Sequence, residues 1–240
     1  MKRYGLIGKT LKHSFSPDYF SRKFSDLQID ATYSAFELAS IHEVSDLLKE
    51  PLNGLNVTIP YKTEIIPFLD QLSDEAKAIG AVNTIAFRNG KTWGFNTDAP
   101  GFWNDLNPLL NSSHKKALIF GTGGASKAVQ YALSQNGIDF KLVSRSAGDL
   151  TYPELSDFQE IENYTIWINT TPIGMYPEIE KCLDLPYSKL TEQHVVYDLV
   201  YNPEETLYLK KAKEQGAITK NGWGMLINQA EESYKIWTAD

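Results

Sequence analysis

Short apolar runs alternate with helical patterns along the first hundred residues. Strands are predicted where a run of mostly apolar residues is bounded by turn formers, and helices where apolar residues recur every three or four positions. The predicted strands cover residues 4–8, 32–38, 55–59, 81–87 and 92–95. A helix is expected over residues 17–27, and another begins after Asp74 and stops at Gly80.

Three local signals support these elements. Ser16 before Pro17 is typical of an N-cap followed by a first helical residue. Ser40 followed by Glu43 forms a capping box ahead of an apolar helical stripe. Asn89-Gly90 between two strands indicates a β-hairpin.

The second half repeats the alternation after a polar, breaker-rich segment at residues 107–115, which is the candidate linker. Strands are predicted over residues 116–120, 140–144, 165–169 and 195–199, and helices over 126–135, 203–215 and 223–237. Pro203 is expected to open one helix and Gly216 to end it. Alternating strands and helices predict an α/β protein of two domains with mostly parallel sheets.

Composition narrows the possible functions. The chain has 240 residues, 42% of them hydrophobic, and a net charge of −7 with a pI near 5.2. An acidic chain of this kind is not expected to bind nucleic acid through the phosphate backbone. The single cysteine, Cys182, and four scattered histidines predict neither a disulfide nor a metal site. We find no signal peptide and no long apolar run, so a cytoplasmic protein without membrane contact is expected.

A glycine-rich loop follows the strand at residues 116–120 and opens a helix, as in dinucleotide-binding folds. The loop comprises Gly121, Thr122, Gly123, Gly124 and Ala125. Its backbone N–H groups are candidates to bind a pyrophosphate at the helix N-terminus. Ser126 stands where the general motif has a third glycine. A tight turn without a ligand is the alternative interpretation.

The next strand ends in Ser144, Arg145 and Ser146. NAD-binding proteins usually have an acidic residue there for the ribose 2′-hydroxyl. A guanidinium can instead pair with a 2′-phosphate, which favours NADP. Asp139 lies at the other end of this strand. The alternative is that Arg145 is an ordinary solvated loop residue.

Four segments of the first half carry polar residues at strand or helix boundaries. The candidate residues are Ser14 and Ser16, Thr58 and Lys62, Asn83, and Asp98. Two hydroxyls near a helix N-terminus could bind a carboxylate, and strand ends are where open α/β sheets bind ligands. Each residue taken alone also has a structural explanation, as a cap, a turn former or a surface lysine.

In combination, the motifs resemble the shikimate dehydrogenase family over essentially the whole chain. They are GLIGKTLKHSFSP, NVTIPYK, GAVNTI, GFNTDAPGF, GTGGASKAV, INTTPIGM, YDLVYNP and NGWGMLINQA. The resemblance implies a reversible, NADPH-dependent reduction of 3-dehydroshikimate in which Lys62 and Asp98 form the catalytic pair. It also implies a substrate domain of residues 1–106 with 222–240, and a Rossmann-type NADP domain of residues 107–221.

The resemblance further implies a role for individual residues. Ser14 and Ser16, helped by Tyr201, would bind the carboxylate, and the ring hydroxyls would contact Thr58, Lys62, Asn83, Asp98 and Gln229. Gly121 to Ala125 would hold the pyrophosphate, Ser144 to Ser146 the 2′-phosphate, and Asp74, Leu199 and Gly222 would line the cofactor side. This chain departs from the common pattern at Thr10, in Asp18-Tyr19-Phe20, and in having no second arginine soon after Arg145.

Two alternatives remain open at this point. One is an NAD-dependent enzyme that accepts quinate as well as shikimate. The other, of a different class, is a non-catalytic NADP-binding regulatory module. The motifs do not choose between a monomer and a homodimer.

Overall fold

The computed structural model describes residues 1–12 and 14–239, so His13 and Asp240 lie outside the described residues. The strands, in chain order, are β1 (Lys2–Gly8), β2 (Ala31–Glu37), β3 (Gly54–Val57), β4 (Gln71–Leu72), β5 (Thr84–Arg88), β6 (Lys91–Phe95), β7 (Lys116–Phe120), β8 (Asp139–Ser144), β9 (Leu150–Thr151), β10 (Ile166–Asn169), β11 (Val195–Asp198) and β12 (Ile218–Asn221). The α-helices are α1 (Phe15–Asp26), α2 (Val44–Leu47), α3 (Asp74–Ile79), α4 (Asp98–Leu106), α5 (Gly124–Gln135), α6 (Tyr152–Asp157), α7 (Leu207–Glu214) and α8 (Trp223–Thr238).

Two compact units are formed by the chain, one by Met1–Thr97 with Ala230–Asp240 and the other by Asp98–Gln229. The first unit is therefore discontinuous. Helix α8 contributes its last turns to the first unit and its first turns to the second. The functional domain boundaries predicted after residues 106 and 221 stay predictions.

The first unit is built on a mixed sheet in the order β2-β1-β3-β5-β6-β4. Strands β1, β2 and β3 are parallel, and β4 runs parallel to β6. Only β5 is reversed among these, pairing antiparallel with both β3 and β6. The carboxyl ends of β1, β3 and β6 therefore share one edge of the sheet with the first residue of β5.

The second unit is built on a fully parallel sheet in the order β12-β11-β10-β7-β8-β9. Numbered within the unit, this is the doubly wound order 3-2-1-4-5-6 read from the β9 edge. Parallel strands covered on both faces must be apolar throughout. Strand β7 meets this condition, since Ala117, Leu118, Ile119 and Phe120 are all fully buried.

Several sequence predictions are confirmed. The Ser40–Glu43 capping box is present, and it precedes a short 3₁₀ turn that leads into α2. Gly80 ends α3 in the left-handed conformation, with φ of 68°. Asn89 and Gly90 connect the β5–β6 hairpin with φ of 52° and 72°, as a type I′ turn requires.

Other predictions are wrong in detail. Helix α1 begins at Phe15, so the N-cap is Ser14 and Ser16 is a buried residue inside the first turn. Pro203 does not open α7, because the helix begins at Leu207 and is capped by Thr206, whose hydroxyl accepts from Leu209 N–H. The linker predicted at residues 107–115 stays a prediction; it begins with a 3₁₀ turn at Asn107–Leu109.

Candidate functional site

One edge of the first unit's sheet gathers most of the predicted substrate residues of that unit. Thr58 follows β3, and its N–H donates to Ile7 O of β1 at 2.8 Å. Asn83 precedes β5, with its carbonyl accepting from Val57 N–H at 2.9 Å and its N–H donating to Phe95 O at 3.0 Å. The reversal of β5 places the start of that strand at this edge, where a parallel strand would have placed its end.

The helix that follows β1 carries the two predicted carboxylate-binding serines. Ser14 is the N-cap of α1, but its side chain makes no capping hydrogen bond. Ser16 lies two residues further, is 9% exposed, and its hydroxyl hydrogen-bonds to Tyr33 on β2. Burial raises the pKa of Tyr33 far above its usual range, so the phenol is neutral and can donate onward. Sequence reasoning did not find Tyr33.

Lys62 is half-buried in the turns that follow β3. Its carbonyl accepts from Val82 N–H at 2.7 Å, just before Asn83. The preceding residue, Tyr61, is buried and its hydroxyl donates to Leu38 O at 2.7 Å. These bonds fix the backbone of the segment on both sides of the lysine.

A buried polar cluster lies beneath the same edge. Its members are Tyr33, Asn56, Asn83, Thr84, Thr97 and Ser233. Asn56 Oδ1 accepts from the Tyr33 hydroxyl at 2.8 Å, and Asn56 Nδ2 lies 2.9 Å from Ser233 Oγ. Ser233 Oγ also lies 2.7 Å from Thr84 Oγ1 and 3.2 Å from Thr97 Oγ1.

Asn83 is held within this buried polar cluster by three hydrogen bonds to Thr97. Its Oδ1 accepts from Thr97 N–H at 2.7 Å and from the Thr97 hydroxyl at 3.2 Å, and its Nδ2 donates to Thr97 Oγ1 at 3.0 Å. Asp98 directly follows Thr97 and is 5% exposed. It is the first residue of α4, a helix that belongs to the second unit.

The glycine loop of the second unit has the backbone shape that the motif predicts. Gly121 has φ of 109°, and a Cβ there would lie 2.7 Å from Thr170 Oγ1, so no other residue fits without displacing its neighbours. A Cβ added at Gly123 or Gly124 would have nothing within 4 Å. Space is therefore open beside these two glycines, at the start of α5, and a helix N-terminus is where backbone N–H groups can bind an anion.

Ser126, which replaces the third glycine of the motif, has a structural role. Its hydroxyl donates to Gly121 O at 2.8 Å and accepts from Gln130 Nε2 at 3.0 Å, and the residue is fully buried. The serine closes the loop onto the first turn of α5, so the departure from the motif leaves the loop intact.

The predicted 2′-phosphate residues lie at the carboxyl end of β8 and in the turn that follows it. Ser144 is buried and its Oγ accepts from Ala147 N–H at 2.8 Å, which folds the following turn. Arg145 and Ser146 are exposed in that turn. Asp139 is the first residue of β8, at the opposite end of the strand.

The remaining predicted residues occupy varied places. Gly222 precedes α8 so close to Leu199 that a Cβ would lie 2.2 Å from Leu199 O. The Tyr201 ring lies 5.9 Å from that of Trp223, and burial raises the pKa of Tyr201. Gln229 on α8 donates to Leu226 O at 2.9 Å. Asp74, in the first unit, is fully exposed and pairs with Lys77 at 3.1 Å.

Sequence reasoning missed a buried carboxylate at the end of β11. Asp198 is fully buried and accepts from Asn169 Nδ2, from Val200 N–H and from the Thr206 hydroxyl. Burial raises the pKa of Asp198 to about 6, against the opposing effect of these hydrogen bonds. The sequence does carry a signal for this residue, because Asp198 directly follows three apolar or aromatic strand residues, Val195 to Tyr197.

Neither a metal cluster nor a membrane-spanning helix occurs in the described part of the chain. Within residues 1–12 and 14–239, no group of three or more His, Cys, Asp or Glu side chains could hold a metal ion. Over the same residues, no helix is both long and apolar enough to cross a membrane.

The chain is similar to known proteins over its whole length. Residues 6–85 match the family model described as the shikimate dehydrogenase substrate binding domain. A relative from Methanococcus maripaludis, named shikimate dehydrogenase (NADP(+)), is 39% identical, and the alignment covers 99% of this chain and 91% of the relative.

Two solved structures share the fold. Shikimate 5-dehydrogenase from Listeria monocytogenes, in complex with shikimate and NAD, is 29% identical with a TM-score of 0.90, covering 100% of this chain and 92% of the other. Shikimate 5-dehydrogenase from Thermus thermophilus, in complex with NADP(H) and shikimate, is 29% identical with a TM-score of 0.87, covering 100% and 94%. On its full-length identity to these relatives, this chain belongs to the shikimate dehydrogenase family.

Proposed function

We propose that this protein is a shikimate dehydrogenase that reversibly reduces 3-dehydroshikimate to shikimate with NADPH. The observation that carries the proposal is the full-length match to named shikimate dehydrogenases, among them a solved structure in complex with NADP(H) and shikimate. The predicted substrate residues of the first unit also gather at one sheet edge, and the second unit has an intact dinucleotide-binding loop.

The residues of the second unit fit NADP. Gly123 and Gly124 leave open space before the N-terminus of α5, where N–H groups can bind the pyrophosphate. Arg145 is exposed at the end of β8, and Asp139 is too far along the strand to oppose a 2′-phosphate. A guanidinium pairs with phosphate through two parallel hydrogen bonds, which supports NADP over NAD.

The residues of the first unit fit a small hydroxylated acid. The helix α1 N-terminus presents Ser14 with a side chain that is not used as a cap, and we assign it to the carboxylate with Ser16. We assign Thr58, Lys62 and Asn83 to the ring hydroxyls, together with Asp98 and Gln229. Tyr201 would assist at the carboxylate, and Asp74, Leu199 and Gly222 would line the cofactor.

The chemistry assigned to the protein is proton transfer and charge stabilisation. When bound, the nicotinamide supplies the hydride to the carbonyl carbon. The Lys62 ammonium donates a proton to the carbonyl oxygen and stabilises the negative charge that develops there. Asp98 orients the lysine and the reacting hydroxyl. In the reverse direction, the neutral Lys62 amine receives the hydroxyl proton and becomes the ammonium.

The direct test follows absorbance at 340 nm with purified protein, shikimate and NADP⁺. An increase in absorbance that depends on both compounds supports the proposal. Tight NADPH binding without turnover would instead indicate the non-catalytic regulatory module. The quinate-accepting alternative is tested by replacing shikimate with quinate and NADP⁺ with NAD⁺. It predicts that kcat/KM for quinate is comparable to that for shikimate, and that kcat/KM for NAD⁺ is comparable to that for NADP⁺.

Further features remain part of this proposal. We place substrate binding in residues 1–106 with 222–240 and cofactor binding in residues 107–221. We expect a cytoplasmic monomer or homodimer that does not bind nucleic acid or membranes, in keeping with a net charge of −7. Sedimentation velocity of the purified protein distinguishes the two oligomeric states.

A further inference from the structure

Two motifs of the second unit contain residues to which the proposed function assigns no role; only Leu199 and Tyr201 within them have one. They are INTTPIGM, which contains Asn169, and YDLVYNP, which contains Asp198. The two residues are 29 positions apart in the chain, yet Asn169 Nδ2 donates to Asp198 Oδ1 at 2.9 Å, and both side chains are fully buried. One hydrogen bond therefore joins the ends of the adjacent strands β10 and β11.

Asp198 also holds the segment that follows β11. Its Oδ1 accepts from Val200 N–H at 3.0 Å, and its Oδ2 accepts from Thr206 Oγ1 at 2.6 Å. The same threonine caps α7. The carboxylate thus fixes both ends of residues 199–206, the loop that contains Leu199 and Tyr201.

Asn169 also hydrogen-bonds to the segment that lies beside the glycine loop. Its Oδ1 accepts from the N–H of Thr171 at 2.9 Å and from the hydroxyl of the same residue at 2.7 Å. The neighbouring Thr170 donates its hydroxyl to Phe120 O at 2.7 Å. A Cβ on Gly121 would lie 2.7 Å from Thr170 and 2.9 Å from Thr171, so residues 170–171 directly line the glycine loop.

These contacts form a continuous path from a buried carboxylate to the backbone at the cofactor loop. Burying a polar group lowers the stability of the fold unless the group makes its hydrogen bonds. The Asp198 carboxylate makes three, one with each of its donors. Replacing Asp198 by an apolar residue would leave those donors without their acceptor. We infer that Asp198 is a positioning residue that, through Asn169, Val200 N–H and Thr206, sets the two loops that shape the NADP site.

The inference rests on the proposed function, since it requires that these loops bind the cofactor. Two variants separate positioning from charge. Asp198→Ala removes the acceptor for all three donors. Asp198→Asn keeps an oxygen for Asn169 and Val200, while its amide can donate to the Thr206 hydroxyl. A positioning role therefore predicts that asparagine rescues most of what alanine loses.

NADPH affinity is measured by fluorescence titration of the full chain, with KM and kcat determined for each folded variant. We expect NADPH affinity to fall at least tenfold in Asp198→Ala and no more than threefold in Asp198→Asn. Asn169→Ala is expected to weaken NADPH binding about tenfold. The double variant Asp198→Ala/Asn169→Ala is expected to be no weaker than the poorer single variant, because both changes break one path.

A matched control is available at the other end of the same strand. His194 precedes β11, is 3% exposed, and accepts from Thr191 N–H at 3.1 Å. His194→Ala removes a side-chain hydrogen bond of a buried residue at that end of the strand and is expected to lower thermal stability without changing NADPH affinity. If Asp198→Ala does not fold, Asn169→Ala and Asp198→Asn still carry the test.

The outcomes are distinct. Two outcomes overturn the positioning role in a wild type that binds NADPH and turns over. One is an NADPH affinity of Asn169→Ala that equals that of the wild type. The other is a loss of NADPH affinity in Asp198→Asn as large as that in the alanine variants. Absence of NADPH binding by the wild type overturns the proposed function and this inference with it. Equal losses of affinity in His194→Ala and Asn169→Ala would reduce the effect to general destabilisation and likewise overturn the inference.

Discussion

Asn83 and Thr97 are joined by three hydrogen bonds: Asn83 Oδ1 accepts from Thr97 N–H at 2.7 Å and from the Thr97 hydroxyl at 3.2 Å, and Asn83 Nδ2 donates to Thr97 Oγ1 at 3.0 Å. The pair fixes the backbone immediately before Asp98. Asn83→Ala leaves the buried Thr97 N–H without this acceptor, at a cost of about 1–3 kcal/mol of unfolding free energy. We expect kcat/KM for shikimate to fall at least tenfold, as measured by steady-state kinetics.

The control for that variant is Thr92→Val. Thr92 is a buried residue of the same unit whose hydroxyl donates to Asp70 Oδ2 at 2.9 Å. A similar loss of stability with unchanged kcat/KM is expected there. Matching losses of activity in the two variants would contradict a specific role for Asn83.

Lys62→Ala is expected to lower kcat at least 100-fold, about 2.7 kcal/mol, because the variant loses both the proton donor and the positive charge. Retained shikimate binding by calorimetry would place the loss in the chemical step. Turnover within about tenfold of the wild type, about 1.4 kcal/mol, would remove Lys62 from the mechanism. Asp98→Asn tests the partner in the same assay.

Arg145→Ala is expected to raise KM for NADP⁺ about tenfold or more and to leave KM for NAD⁺ within twofold, since only NADP⁺ has the 2′-phosphate. The ratio of kcat/KM for the two cofactors is the measurement. Lys210→Ala, another exposed cation of the second unit, serves as the control for general charge effects. An equal change for both cofactors would exclude a 2′-phosphate contact.

Gly121→Ala is expected to abolish NADPH binding, since φ of 109° and a contact of 2.7 Å to Thr170 both oppose a side chain. Gly137→Ala is the matched variant: that glycine also has a positive φ, of 68°, but nothing lies within 4 Å of its Cβ position. It should lower stability and keep NADPH affinity. Fluorescence titration of both variants checks the difference.

Asp198 predicts a pH dependence of stability. Its pKa is about 6 in the folded protein, against an ordinary value of 3.8 for the unfolded chain. Below about pH 3.8 the carboxyl is protonated in both states; above about pH 6 the folded state bears the cost of a buried charge. Its contribution to unfolding free energy therefore falls as pH rises through this window, by on the order of 3 kcal/mol.

Chemical denaturation of wild type and Asp198→Asn between pH 4 and 8 measures this effect. The difference in unfolding free energy, variant minus wild type, should increase as the pH rises to about 6 and then level off. A difference that does not vary with pH would show that Asp198 keeps an ordinary pKa.

Local signals predicted much of this fold because their causes lie within a few residues. The capping box at Ser40, the left-handed Gly80 and the Asn89-Gly90 turn all depend on adjacent backbone. The glycine loop was found for the same reason. The α1 start was displaced because Pro17, which favours Ser16 as the cap, is also tolerated elsewhere in the first turn of a helix that begins at Phe15.

The buried hydrogen-bond partners could not be predicted, because they join distant parts of the chain. Asn56 and Ser233 are 177 positions apart, and their bond exists only once α8 returns to the first unit. A polar residue inside an apolar strand, such as Asn56, indicates that a partner is needed without naming it. The hairpin turn predicted that β5 and β6 run antiparallel, but it did not predict that β5 is the strand reversed relative to β1 and β3.

The reversal of β5 also has a practical consequence. Because both strands of the hairpin have their other ends at the sheet edge that carries Thr58 and Asn83, the exposed Asn89-Gly90 turn lies one strand length away from that edge. Gly90 has nothing within 4 Å of its Cβ position. The turn is therefore a suitable point to insert a peptide tag or attach a fluorescent reporter while leaving the proposed substrate-binding residues undisturbed.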